Sequence, residues 1–263
     1  MMNKLTTSIV VGALMMLSSL ASADILPGKP TVLITGSNRG IGLEFVKQFT
    51  ERGWNVIATA RKPAQAEELN ALAKKHKSIT VEQLDVTDHA RIEALAAHYK
   101  DQSIDILLNN AGFTPKYKTA FNPLSNIDFD IALKSLKVNA IGPLKMCQAF
   151  MDHVAASDQK KIIVMSSKVG SISASPKMPM FYSYRGSKAA LNMYMYTLSF
   201  ETQKKNIILT LLSPGIVNTT EGTKIPNAIE KEESVPKMMK VIEALTPKDN
   251  GAFLSYDGTK VDW

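Results

Sequence analysis

Cysteine is nearly absent. Cys147 is the single example, so an intrachain disulfide and any multi-cysteine metal site are excluded. The four histidines, His76, His89, His98 and His153, show no metal-ligand spacing. Aromatic residues make up 7% of the chain and do not interleave with basic clusters, so the formal net charge of +7 does not point to nucleic acid as a partner. No internal repeat and no second domain is visible. No apolar run reaches the ~20 residues a membrane-spanning helix needs. The longest, residues 5–20, is broken only by small or hydroxyl residues and follows Lys4.

That run has another reading. A basic start, a short apolar stretch and Ala21-Ser22-Ala23 before Asp24 form the three-part pattern of a secretory signal peptide. Residues 1–23 are therefore expected to be a cleaved leader, leaving no stable membrane span, and residues 24–30 a linker. The alternatives are an uncleaved anchor or a misassigned start. Cleavage would place the protein in the periplasm or outside the cell. The leader lacks the twin-arginine pair that marks export of folded proteins.

The remainder, residues 31–263, has the size and composition of one globular domain: 45% apolar and 21% charged. Continuous β-branched and apolar runs at residues 31–35, 54–60, 79–84, 104–108, 161–165 and 207–212 read as strands buried on both faces. Residues 253–255 read as a last edge strand. Helical patterns separate the runs: residues 43–50, a polar helix at 63–75, 90–100, a long segment at 128–155, residues 184–204 and a short helix near 235–245. Gly142 and Pro143 inside the long segment predict an irregular turn near Asn139. Residues 218–233 lack periodicity and read as a lid. Strands alternating with helices predict an α/β, Rossmann-like, doubly wound parallel sheet of about seven strands in a single domain.

The first strand runs into Gly36-Ser37-Asn38-Arg39-Gly40-Ile41-Gly42 and then a helix. Strand, glycine-rich turn and helix is the context of a dinucleotide-binding loop, though the spacing is G-x-x-x-G-x-G. Glycines let the backbone approach a pyrophosphate, and the helix N-terminus offers free N–H groups and a positive dipole end. An acidic residue at the end of the second strand would accept hydrogen bonds from an adenosine ribose. None is there: Ala60 is followed by Arg61 and Lys62. With Arg39, these cations suit a 2′-phosphate, so the sequence favours NADP(H) over NAD(H).

Tyr184 and Lys188 stand one helical turn apart, on one face. A fixed ammonium beside a phenol favours its ionised form, making Tyr184 a candidate general acid or base.

Together with Asn109-Asn110-Ala111-Gly112, Asn139, Ser166-Ser167 and Pro214-Gly215-x-x-x-Thr219, these stretches resemble the short-chain dehydrogenase/reductase family, in the family's order and over nearly the whole chain after residue 30. Residues 251–263, Tyr182-Ser183-Tyr184-Arg185 and the long gap between Ser167 and Tyr184 resemble its C-factor/sniffer-type carbonyl reductase branch. The resemblance implies hydride transfer between NADP(H) and a small carbonyl or alcohol, with Tyr184 moving the proton. Lys188 would lower the phenol's pKa and hold the nicotinamide ribose. Ser167 would position the substrate oxygen; it is preferred to Ser166 because Gly170 follows at the family's offset. Asn139 would hold a water linking Lys188 to solvent. Gly36, Ser37, Asn38, Arg39, Gly40, Ile41 and Gly42 would meet the phosphates, Asp85 and Val86 the adenine. Asn110, Ala111 and Gly112 would form the cofactor floor. Pro214, Gly215, Val217 and Thr219 would lie on the nicotinamide side. Residues 113–119, 168–182 and 218–233 would line the substrate pocket, where Met178, Met180 and Phe181 suggest either apolar, adaptable walls or lid packing. The family commonly pairs through the Asn139 and Tyr184 helices, so a homodimer is expected. The branch leaves a second reading, a dinucleotide-binding sensor with little turnover. The NADPH requirement makes a cytoplasmic location the alternative to export.

Overall fold

Strand β1 (Thr31–Ile34) is buried at every position. Val32 and Ile34 enter the core on one face of the sheet and Leu33 the core on the other. A strand with two apolar faces needs helices on both sides, and the computed structural model, which describes residues 25–115, 121–219 and 225–263, supplies them. The expected leader lies outside the described residues.

The chain continues through α1 (Gly40–Glu51), β2 (Asn55–Ala60), α2 (Glu67–Lys75), β3 (Ile79–Gln83), α3 (His89–His98), β4 (Ile106–Asn109), α4 (Phe129–Leu136), α5 (Gly142–Ala155), β5 (Lys161–Met165), α6 (Tyr182–Lys204), β6 (Ile208–Ser213), β7 (Val217–Asn218), β8 (Ile229–Glu230), α7 (Lys231–Ala244) and β9 (Phe253–Ser255). The main sheet has seven strands in the order β3-β2-β1-β4-β5-β6-β9. Every pairing in it is parallel. Helices α1, α2 and α7 cover one face, with Phe45, Phe49, Leu69 and Met238 in the core. Helices α3, α5 and α6 cover the other, with Ile92, Phe150 and Leu191. The expected doubly wound α/β sheet is therefore the observed one.

Three local departures have physical reasons. The helix expected from residue 63 is split: Pro63–Gln65 form a 3-10 turn, and Ala66, at φ −95° and ψ 63°, breaks the run before α2 begins. The irregular turn expected near Asn139 is a π turn, Lys137–Ile141, between α4 and α5. Pro143 falls in the first turn of α5, where its missing N–H is tolerated. In the expected lid, residues 220–224 lie outside the described residues. The part that follows pairs as β8 with β7, Val217 opposite Ile229, and α7 starts at Lys231, earlier than the periodicity suggests.

Asp105 pins the starts of three strands. Its Oδ2 accepts from the Thr31 N–H at 2.8 Å, its own N–H donates to the Thr31 carbonyl at 2.9 Å, and its carbonyl accepts from the Lys161 N–H at 3.0 Å. The carboxylate is nearly buried, so deleting it leaves a donor unsatisfied. Asp105→Ala is expected to cost about 2 kcal/mol and to lower the melting temperature by roughly 4–8 °C in a circular-dichroism melt. An unchanged melt would show that the clasp carries no stability.

Candidate active site

The carboxyl ends of β1, β4, β5 and β6 deliver the residues singled out in the sequence to one edge of the sheet, the edge where parallel α/β sheets bind ligands. β1 ends in Thr35, whose Oγ1 accepts from the Asn110 and Ala111 N–H groups, each at 3.0 Å. The Asn110 amide donates back to the Thr35 and Gly36 carbonyls, both at 3.0 Å. The turn after β1 is thereby stitched to the turn after β4. The fit is close. A Cβ on Gly36 would lie 2.8 Å from the Ala111 Cα, and one on Gly42 would lie 2.2 Å from the Gly36 carbonyl oxygen and 2.5 Å from the Asn110 amide nitrogen. Gly42 is thus required by the protein's own packing, beyond any approach to phosphate. Gly40 has φ +58°, where glycine carries no Cβ penalty.

Within this loop the residues divide. Ser37 is fully buried, and its hydroxyl donates to the Ile34 carbonyl at 2.8 Å. Asn38 and Arg39 are exposed at the mouth of α1, Ile41 is half-buried, and Gly42 is buried. Arg61 is exposed just past β2, on the same edge. Asp85 turns the chain after β3 by accepting from the Thr87 N–H (2.9 Å) and hydroxyl (2.7 Å). Val86 is nearly buried, and its carbonyl would lie 2.9 Å from a Cβ on Gly142. Gly112 is exposed, and a Cβ there would lie 3.6 Å from the Asn139 amide oxygen. Past β6, the Pro214 carbonyl accepts from Ser234 at 2.7 Å, Gly215 has φ +83°, and Val217 is nearly buried. Thr219 is exposed and reaches the glycine loop, 3.4 Å from where a Gly40 Cβ would stand. A shallow, glycine-lined cradle at a helix N-terminus with exposed cations beside it suits a phosphorylated dinucleotide.

Tyr184 and Lys188 lie in the first turns of α6, against the end of β5. Lys188 is 5% exposed. Its Nζ donates to the Met165 carbonyl at 2.8 Å and lies 5.8 Å from the centre of the Tyr184 ring. Gly170 permits this approach, because a Cβ there would lie 2.6 Å from the Lys188 Cβ. Removal from water pushes the Lys188 ammonium down to about 8. Tyr184 hydrogen-bonds the side chains of Ser167 and Thr114, and both favour its ionised form. Burial outweighs them and holds the phenol above its ordinary value. This direction differs from the sequence expectation of a lowered phenol, because desolvation is a property of the folded surroundings and not of residue spacing.

The two serines after β5 take separate parts. The Ser166 hydroxyl donates to the Asn192 amide oxygen at 2.5 Å, fully buried, while Ser167 meets Tyr184. Asn139, inaccessible to solvent, clasps Phe113: its amide oxygen accepts from the Phe113 N–H at 2.7 Å and its amide nitrogen donates to the Phe113 carbonyl at 2.9 Å. The same nitrogen donates to the Ser187 hydroxyl at 2.9 Å, which donates to the Tyr184 carbonyl at 2.7 Å. Thr35, Thr114 and Ser187 carry contacts that sequence reasoning missed. No spacing rule marks a hydroxyl that works through another residue.

Next to Tyr184 is a cavity of about 250 Å3, lined by Pro115, Asn122, Ile127, Ile131, Phe181 and Tyr184 among others. A larger groove of about 540 Å3, between α7 and the segment after β9, contains none of these side chains. Of the expected pocket segments, residues 116–119 and 220–224 lie outside the described residues. Among the described residues there is no cluster of three or more histidine, cysteine, aspartate or glutamate side chains that could hold a metal ion, and no helix long and apolar enough to cross a membrane.

The sequence model of the short chain dehydrogenases matches residues 30–230. An uncharacterized oxidoreductase of Schizosaccharomyces pombe is 32% identical over 248 residues, which is 87% of this chain and 96% of that one. Among solved structures, the carbonyl reductase Sniffer of D. melanogaster superposes with a TM-score of 0.81 at 31% identity, covering 89% of this chain and 100% of that one. The NADPH-bound carbonyl reductase from chicken fatty liver gives 0.79 at 34% identity, covering 89% and 99%.

The buried ammonium yields a test of the site's energetics. A lysine held near 8 in the folded protein and near 10.5 when unfolded lowers stability below pH 8; stability recovers as pH rises from about 8 toward 10.5. Lys188→Met is therefore expected to raise the stability at pH 7 by on the order of 2 kcal/mol, after the lost Met165 contact is counted. The gain should fade toward pH 10. Paired thermal melts across that range read it directly, and a difference independent of pH would refute the buried-charge account.

Proposed function

The chain belongs to the short-chain dehydrogenase/reductase family, of its C-factor/sniffer-like type, and from that premise we propose that it is an NADPH-dependent carbonyl reductase in which Tyr184 is the general acid. The observation that carries this reading is the meeting of Tyr184 with Ser167 and Thr114 beside a buried Lys188, at the strand edge that holds the glycine cradle. Bound there, NADPH would supply a hydride to the carbonyl carbon. Arg39, Gly40 and the N-terminus of α1 would hold the phosphates, and Arg61 the 2′-phosphate. Asn110, Ala111 and Gly112 would form the floor, Asp85 and Val86 would flank the adenine, and Pro214, Gly215, Val217 and Thr219 would close the nicotinamide side.

Ser167 donates to the carbonyl oxygen and steadies the developing alkoxide. Tyr184 gives that oxygen its proton. A phenol kept above its ordinary value by burial is in the protonated form that reduction needs. Lys188, whose ammonium is weakened by burial, would hold the nicotinamide ribose and return the proton. Both amide protons of Asn139 are committed, so a water serving Lys188 would have to donate to an Asn139 oxygen. Tyr184→Phe is expected to lower kcat with NADPH by roughly 10²–10⁴-fold, while NADPH binding, measured by fluorescence titration, stays nearly unchanged. Undiminished turnover would sink the assignment. Arg39→Ala and Arg61→Ala should each shift the NADPH-to-NADH preference by roughly tenfold, and an unaltered ratio would remove these residues from cofactor selection.

The same reading includes a homodimer paired through the Asn139 and Tyr184 helices. Phe129 and Leu133 on α4, and Met193 and Phe200 on α6, are exposed; large apolar side chains in water favour association. Light scattering of the purified protein should give twice the chain mass, and Phe200→Glu should reduce it. A monomer in the parent protein ends the pairing proposal.

A further inference from the structure

Phe181, immediately before α6, has φ +52° and ψ +37°. An aromatic residue in the left-handed region is uncommon, and such a conformation persists only where its surroundings enforce it. The enforcement is visible. Arg185, in the first turn of α6, reaches back with both arms of its guanidinium: Nη1 donates to the Met178 carbonyl at 2.9 Å and Nη2 to the Ser175 hydroxyl at 2.6 Å. The Arg185 N–H donates to the Phe181 carbonyl at 2.8 Å. The far side of the same loop is tied down too, since the Ser173 N–H (3.1 Å) and hydroxyl (2.6 Å) both donate to the Trp263 carbonyl oxygen. The loop that joins Ser167 to Tyr184 is thus gripped at both ends, and its last residue is forced to turn sharply into the helix.

The forced turn aims a ring. The Phe181 ring centre lies 6.3 Å from that of Tyr184, edge to face, and 6.1 Å from that of Phe121. Phe181 and Tyr184 both line the 250 Å3 cavity, with Pro115, Ile127 and Ile131. The wall also carries Asn122, Asn126 and Asp128; Phe181, Pro115, Ile127 and Ile131 form its apolar part, along which a substituent of a carbonyl held at Tyr184 would lie. Resting on the reductase reading, we propose that Phe181 is a specificity-determining residue which selects carbonyls carrying a bulky apolar substituent, and that Arg185 is the positioning residue that holds it in place.

The test compares two ketone and aldehyde substrates in the full-length protein with NADPH, one carrying an aryl group and one a small aliphatic aldehyde. Phe181→Ala and Arg185→Ala are each expected to raise KM for the aryl ketone by roughly tenfold or more, with kcat little changed and the small aldehyde hardly affected. Arg185→Lys should fail to rescue, because the shorter lysine has one nitrogen in place of the two guanidinium arms that reach Met178 and Ser175. Phe181→Gly should match Phe181→Ala in KM yet melt at a higher temperature, because glycine takes the left-handed conformation without strain. Equal losses on both substrates, or rescue by lysine, would overturn the proposal. If the parent protein reduces no carbonyl, the reductase reading fails on its own, and the clamp is judged by limited trypsin digestion. Lys177 is exposed within the loop, so faster cleavage after Lys177 in Arg185→Ala supports the clamp, and an unchanged rate refutes it.

Discussion

The site depends on an ammonium group taken out of water at the end of a buried strand. Lys188 has the Met165 carbonyl as its hydrogen-bond acceptor at 2.8 Å, and β5 must therefore end where it does for α6 to keep its place. Gly170 lets the turn after β5 lie directly on the Lys188 backbone. Ser166, next in line, anchors to Asn192 one turn further along α6. The contacts of strand end, turn and helix each fix the next, so Ser167 and Tyr184 come together without needing a long side chain to bridge them. Burying a charge costs stability unless it is well paired, and the lowered lysine pKa shows that here it is only partly compensated.

A second constraint organises the cofactor side. Asn110 and Ala111 donate four hydrogen bonds to Thr35 and Gly36 across the ends of β1 and β4. These turns approach so closely that Gly36 and Gly42 have no room for a Cβ. The N-terminus of α1 is therefore aimed by the sheet and not by the loop's own sequence. Rigid backbone donors suit phosphate recognition, because they need no ordering when an anion arrives.

Much of this was legible in the sequence, for identifiable reasons. Strands buried on both faces leave uninterrupted apolar runs, so residues such as Val32, Leu33 and Ile34 announce a parallel sheet. Tyr184 and Lys188 share a helix face because of helical periodicity alone, and Gly142 with Pro143 marked the irregularity that became the π turn. What was not legible depends on neighbours distant in the chain. Thr35 heads the glycine stretch, but its hydroxyl contacts exist only because β4 lies beside β1. The direction of the Tyr184 shift follows from enclosure, which no spacing reveals. Ser37 and Asn38 are adjacent in one motif, yet one faces the core and the other water. The break at Ala66 reflects backbone angles that a polar helical pattern conceals.

Three energetic liabilities converge on the same few residues: a buried lysine, a π turn at Asn139 and a left-handed aromatic at Phe181. A chain selected for stability alone would shed each of them, since a methionine, a regular helix and a glycine would serve packing better. Their placement is not random. Asn139 clasps Phe113 and is linked through Ser187 to the Tyr184 carbonyl, Lys188 lies one turn from Tyr184, and Phe181 precedes Tyr184 by three residues. Lys160 at φ +51° and the buried Lys161 carry similar costs at the start of β5, but the gathering of three such features beside one hydroxyl argues that the fold gives up stability to fix that hydroxyl in space. The regular seven-stranded sheet makes this affordable: its two apolar cores supply the rigidity against which these unfavourable conformations can be maintained.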